Sequence, residues 1–257
     1  MTPLFFGTRR RRLFGVYTPG RAGGRTRAAV ICPPFGQEYL RSHRALRQLG
    51  ALLAAAGYHV LRFDYHGTGD SGGDLPEASL AGWREDIATA IDELRDTSGA
   101  TRVTLVGLRL GAALAAETAA RRRREVDGLV LWDPVLHGTE YVEALLDDTV
   151  PRLDQHERPV PRAAGGHEVV GFALTEPMAA EMRAIDLAPL RAALPARTLA
   201  VASEPALFAR LQAWAAPADG ESPQLAHVPN EPEWRVDVDM PGVLPVRVMQ
   251  HIVEWAA

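Results

Sequence analysis

The sequence contains no lysine, so all 28 of its basic side chains are arginine. It contains one cysteine, Cys32, which excludes an internal disulfide and fits a reducing compartment. No apolar run approaches the roughly 18 residues a membrane span needs. Internal repeats and low-complexity tracts are also lacking. The net charge is only −4, which gives no reason to expect nucleic acid as a partner. In the first residues, MTPLFFGTRRRR, the charges follow a very short apolar patch, the reverse of a secretory signal. These features predict a cytoplasmic location. What remains is a 257-residue chain, 47% hydrophobic and 23% charged, long enough for one domain with a sizeable core.

Apolar β-rich runs alternate with helical runs. Two short strands are expected within Thr2–Thr18, joined at the arginine cluster. Strands are expected at Arg27–Cys32, Tyr58–Phe63, Thr101–Val106, Val126–Trp132, Thr198–Ala202 and Gln224–Val228. Helices are expected at Leu40–Ala56, Leu80–Arg95, Arg109–Arg122, Pro205–Ala216 and Pro245–Trp255. This alternation predicts one α/β domain over residues 1–257: a mostly parallel eight-stranded sheet with helices on both faces. Residues 133 to 197 break the rhythm. They carry Pro151, Pro159, Pro161, Gly165 and Gly166, with a strand near His167–Leu174 and a helix near Met178–Ile185. An insertion of this size between core strands, residues 134–196, reads as a small lid over a site at the strand ends.

Three motifs follow consecutive strands: Cys32-Pro33-Pro34-Phe35-Gly36-Gln37, then Asp64-Tyr65-His66-Gly67-Thr68-Gly69-Asp70-Ser71, then Gly107-Leu108-Arg109-Leu110-Gly111. In this order they resemble the oxyanion loop, the D-x-x-G-x-G-x-S turn and the G-x-S-x-G nucleophile elbow of the α/β-hydrolase superfamily. GLRLGA, LVLWDPVLHGTEYVEALL and EVVGFALT further resemble the hydrolases found beside exosortase systems, in the serine-aminopeptidase-like group. The resemblance implies the α/β-hydrolase fold and a hydrolase-class protein acting on a small-molecule ester, thioester or small amide, although the resembled group does not name the substrate; no cofactor is expected. The resemblance also implies an oxyanion hole from the amides of Phe35 and Leu110, since Pro33 and Pro34 cannot donate.

The elbow departs from the pattern. Its apex is Arg109, a guanidinium that stays protonated and neither attacks nor acts as a base. The superfamily's acid would be Glu204 or Asp133. Its histidine would follow the last strand, where Pro229-Asn230-Glu231-Pro232-Glu233-Trp234 contains none. Trp234 therefore stands near the histidine's expected place. His227 falls in a strand and His251 in a helix. His66, on the same sheet edge, is either structural or a substitute base. His137 and Glu140 open the lid and face either the cleft or solvent. Cys32, Ser71 and Ser203 read as a buried thiol and turn hydroxyls. No residue group has metal-ligand spacing.

Three functions follow from a degenerate triad: a hydrolase with an unconventional site, a pseudo-hydrolase binding an anionic ligand or partner, and a lyase or cyclase using the oxyanion amides alone. Arg109 at a helix N-terminus suits an anion. The competing reading is an ion pair with Asp133 or Glu204.

Overall fold

A computed structural model describes residues 1–20, 26–147, 166–216, 222–230, 234 and 244–257. The strands are β1 (Thr2–Gly7), β2 (Arg12–Thr18), β3 (Arg27–Cys32), β4 (Tyr58–Phe63), β5 (Val103–Leu108), β6 (Val126–Trp132), β7 (Gly166–Val169), β8 (Phe172–Thr175), β9 (Arg197–Ala202) and β10 (Gln224–His227). The α-helices are α1 (Gly36–Ala55), α2 (Leu80–Ser98), α3 (Leu110–Arg121), α4 (Gly138–Asp147), α5 (Glu176–Arg183), α6 (Pro205–Ala215) and α7 (Val246–Ala256).

Eight strands form one mixed sheet in the order β1-β2-β4-β3-β5-β6-β9-β10. β2 runs antiparallel to β1 and β4, and the other pairs are parallel. Strands buried on both faces need continuous apolar side chains. β5 (VTLVGL) meets that demand and is buried throughout. The sheet separates two cores. One, under α2 and α3, holds Leu105, Leu129, Trp83 and Ile87. The other, under α1 and α7, holds Val106, Val130, Leu49 and Ile252. Helix ends are set locally. Ser79 accepts the Gly82 amide at the start of α2, and Gly99 closes it at φ +73, a conformation glycine adopts without strain.

Several boundaries differ from expectation. α1 starts at Gly36 rather than Leu40, so the end of the loop after β3 is already its first turn. β5 runs to Leu108, because Gly107 and Leu108 still pair with Leu131 and Trp132. The single strand expected near His167–Leu174 is a hairpin, β7 and β8, turning at Val170 (φ +47) and Gly171 (φ +86). Within residues 134–196, α4 adds a helix that the sequence pattern does not announce. Val142, Leu174, Met178 and Met182 from this insertion are buried in the core under α2 and α3. The proline-bearing stretch 148–165, with Pro151, Pro159, Pro161 and Gly165, lies outside the described residues. No described helix is long and apolar enough to cross a membrane.

Candidate functional site

The loops after β3, β4, β5, β6, β9 and β10 all leave from one edge of the sheet. The residues expected at a site gather there because parallel strands share a carboxyl end. The turn from β5 into α3 is sharp. Arg109 adopts φ 54, ψ −119, a region L-residues avoid. Its neighbours have no room for side chains. A Cβ on Gly107 would lie 2.4 Å from Ala112 Cα, and one on Gly111 would lie 2.3 Å from the Cys32 carbonyl oxygen. This is the geometry of an elbow that presents its apex residue above the sheet. The amide of Leu110 opens α3, where no intrahelical acceptor exists. Phe35 is extended (φ −83, ψ 143) at the N-cap of α1, with its ring packed on Trp83 and on Phe172 of the β7–β8 hairpin.

The apex side chain is held on several sides. Arg109 Nε donates to Glu38 Oε1 at 2.9 Å, and Nη1 donates to the main-chain carbonyl of Asp133 at 3.3 Å. Glu38 Oε2 accepts the Tyr141 hydroxyl at 2.7 Å. The guanidinium carbon lies 5.5 Å from the Tyr141 ring centre and 5.9 Å from that of Trp234, within cation–π range. Glu38 and Tyr141 are 5% and 4% exposed. Burial pulls the Arg109 guanidinium towards the neutral form, but Glu38, Tyr141 and Asp133 together hold it above its ordinary value. The expected ion pair therefore exists with a different carboxylate. Glu38 takes the place proposed for Asp133 or Glu204, and the direct contact of Asp133 with Arg109 is through its main-chain carbonyl.

Asp133, itself at φ +42, spends its carboxylate on Ser203. It accepts the Ser203 amide and hydroxyl, both at 2.7 Å. Burial pushes its carboxyl up to about 6, against the Ser203 hydrogen bonds and Arg109, which pull it down. An acid whose pKa is raised on folding favours the folded state while protonated. That stability is fully present below the unfolded value near 3.8 and is lost as pH rises through about 6. A rise from 3.8 to about 6 corresponds to about 3 kcal/mol. Urea titrations at pH 4 to 7 should therefore give the wild type a downward slope relative to Asp133→Asn. Parallel slopes would refute the raised pKa.

Besides Trp234, the other expected side chains make no hydrogen bond, ion pair or ring contact with Arg109 among the described residues. Glu204 is the N-cap of α6, near enough to Asp133 to raise its carboxyl. The main chain of His66 is pinned, its amide donating to Asp86 and its carbonyl accepting Trp83 Nε1, while its ring packs on Gly73. His137 is half-exposed, 3.7 Å from Asp186, and Glu140 pairs with Arg210. His227 stacks on Phe208, and the thiol of buried Cys32 is pushed up by burial, away from thiolate character. Ser71 bridges Phe14 and Asp64 in a turn. Trp234 is buried edge-to-face on Trp132. Residues 231–233 beside it lie outside the described set. Among the described residues, no cluster of His, Cys, Asp or Glu could hold a metal.

Known proteins resemble the chain in sequence and in fold. The family model for serine aminopeptidase S33 hydrolases (Hydrolase_4) matches residues 29–178, more than half of the chain. Human mitochondrial palmitoyl-protein thioesterase ABHD10 is 33% identical over 101 residues, covering 39% of this chain and 31% of that protein. Lysophosphatidylserine lipase ABHD12 of Xenopus tropicalis is 36% identical over 90 residues, 34% of this chain and 22% of that protein. The chain thus spans about a third or less of the length of these curated relatives. Among solved structures, Est1E from Butyrivibrio proteoclasticus with ferulic acid bound superposes with a TM-score of 0.75 at 15% identity, covering 98% of this chain and 97% of that one. Mouse ABHD10 superposes at 0.62 and 17% identity, covering 100% and 98%. At such identities the likeness is one of fold.

Proposed function

Because the chain belongs to the serine aminopeptidase S33 hydrolase family, we propose that it keeps that family's cleft for a small polar ligand but not its serine acyl-enzyme route. One observation carries this reading: the apex of the elbow is Arg109, locked by Glu38, with Trp234 rather than a histidine against its face. Relatives named as a thioesterase and a lipase support an ester- or thioester-like ligand. Nη2 of Arg109 has no hydrogen-bond partner among the described residues. With the amides of Leu110 and Phe35 it makes a donor set suited to a carboxylate, a phosphate or a carbonyl oxyanion. A second reading has one observation in its favour. Ser203 donates to buried Asp133 at 2.7 Å, a contact that could activate a hydroxyl in an unconventional hydrolase.

One experiment separates the two. A fluorophosphonate probe labels activated serines, and no labelling is expected. Labelling of Ser203 would establish the second reading and overturn the first. In parallel, millimolar short-chain carboxylates or phosphate should raise the melting temperature of the wild type by roughly 3–6 °C at ten times the dissociation constant. Arg109→Ala should lose that increment.

A further inference from the structure

A second surface lies away from the elbow, on the β1–β2 hairpin at the edge of the sheet. One face of the hairpin sends Phe6 and Leu13 into the core under α2. Side chains alternate along a strand, so the other face carries Phe5, Arg12, Phe14 and Val16. Phe5 pairs directly with Phe14 across the strands, and their rings meet edge-to-face at 5.3 Å. Arg12 sits 4.0 Å over the Phe5 ring. No helix shields this face fully, and Phe5 is 50% exposed.

The same face continues into α1. Val16 pairs with Arg62 of β4, and the stem of Arg62 runs along Gly50 of α1, where an added Cβ would meet its Cδ at 3.3 Å. Beside it, the exposed flank of α1 presents Leu40, His43, Arg44 and Arg47 at positions i, i+3, i+4 and i+7. Leu40 is 63% exposed. Among the described residues, none of Arg12, Arg44, Arg47 and Arg62 meets a carboxylate. Arg11, Arg84, Arg122 and Arg210 each hold one. Asp64, which takes the Tyr39 hydroxyl and the Asp70 amide, lies beside Arg62, and Asp70 is exposed. Burial, Arg62 and Arg47 hold the His43 ring towards its neutral form, so the positive charge here is carried by arginine.

We propose that the open face of the β1–β2 hairpin and the adjoining flank of α1 form a peripheral attachment surface for an anionic lipid bilayer. A face with exposed Phe5 on half-buried Phe14 and an exposed leucine, rimmed by exposed Arg12, Arg44 and Arg47 with half-buried Arg62 behind them, matches the interfacial zone. The apolar groups lie at headgroup depth and the guanidinium groups reach lipid phosphates. The chain as a whole is negative, so such a bilayer attracts this face while repelling the rest, which fixes the orientation. A peptide strand added to β1 fits less well. Pro3 lies in that edge strand and offers no amide. This inference does not depend on the reading of the elbow.

The test is co-sedimentation with mixed phosphatidylglycerol–phosphatidylcholine vesicles and with phosphatidylcholine alone. Binding is expected to the mixed vesicles only, and to weaken with added salt. Each arginine near the surface contributes about fivefold to partitioning. Arg44→Glu combined with Arg47→Glu should therefore lower binding by at least about 25-fold, and Phe5→Ser should lower it at unchanged charge. Arg123→Glu combined with Arg124→Glu, in the exposed turn after α3, changes net charge equally and should leave binding within about twofold. No sedimentation with the anionic vesicles would overturn the proposal, as would equal loss from the two double variants. Binding to poly-glutamate or RNA without vesicle binding would assign the face to another polyanion and overturn it too.

Discussion

Glu38→Ala is expected to destabilise the protein by roughly 3 kcal/mol, the lower end of the cost of stranding one partner of a buried ion pair. Glu38 is 5% exposed and is the acceptor for both the Arg109 guanidinium and the Tyr141 hydroxyl. Its removal leaves a charge and a buried phenol without that acceptor. The Arg109 side chain keeps 22% of its exposure, so water recovers part of the loss, which sets the estimate at the low end. For a chain of this length, 3 kcal/mol corresponds to a fall of roughly 6–12 °C in melting temperature. Glu38→Gln keeps an acceptor but not the charge and should cost less. Glu38→Leu combined with Arg109→Leu should recover much of the deficit, because it strands neither partner. A double-mutant cycle should give a coupling of about 2 kcal/mol or more. If Glu38→Ala melts with the wild type, the pair does not hold the elbow.

Gly111→Ala should cost still more. Its Cβ would meet two main-chain oxygens, of Cys32 at 2.3 Å and Pro33 at 2.4 Å. Neither can rotate away, so the end of β3 or the whole of α3 must move. A penalty above about 4 kcal/mol and loss of soluble protein are expected, since packed interiors relax only partially. Gly99→Ala is the control. It has nothing within 4 Å but sits at φ +73, so its cost should be the left-handed strain alone, about 1 kcal/mol. Equal losses in the two variants, measured by urea denaturation, would mean that the close approach at Gly111 is absent.

The sheet was legible because a parallel strand covered on both faces must be apolar along its length, and RAAVIC, TRVTLV and VDGLVLW are bounded by turn residues. Gly107 and Gly111 were legible because close backbone approach leaves only glycine. Glu38 was not. An acid in the first turn of a helix already has a local explanation in the helix dipole, whereas its partners lie 71 and 103 residues away. Tyr141 was hidden in an insertion with no strand–helix rhythm to index it. The β7–β8 turn was missed because it places Val170, a β-branched residue, at φ +47, where such side chains are rare. Trp234 was visible only by its position after the last strand. The contact with Arg109 that gives it meaning is long-range.

The insertion after β6 also bears on how the sheet is assembled. β6 and β9 are hydrogen-bonded neighbours, Trp132 beside Val201, yet roughly 60 residues intervene. Each doubling of a connecting segment adds roughly 0.6 kcal/mol to the entropy of closing it, so this junction costs roughly 2 kcal/mol more than a short turn would. The burial of Val142, Leu174, Met178 and Met182 against the main core offsets that cost. Pairing of β9 is thereby tied to docking of the insertion. From β1 to β6 each connection between consecutive strands is shorter than this one, although β3 and β5 also pair across a long separation, while β9 and β10, which supply Ser203, Glu204 and the loop to Trp234, enter the sheet only after this junction. The elbow apex thus belongs to the early half of the sheet, and the groups that face Asp133 across the β6–β9 seam belong to the late half.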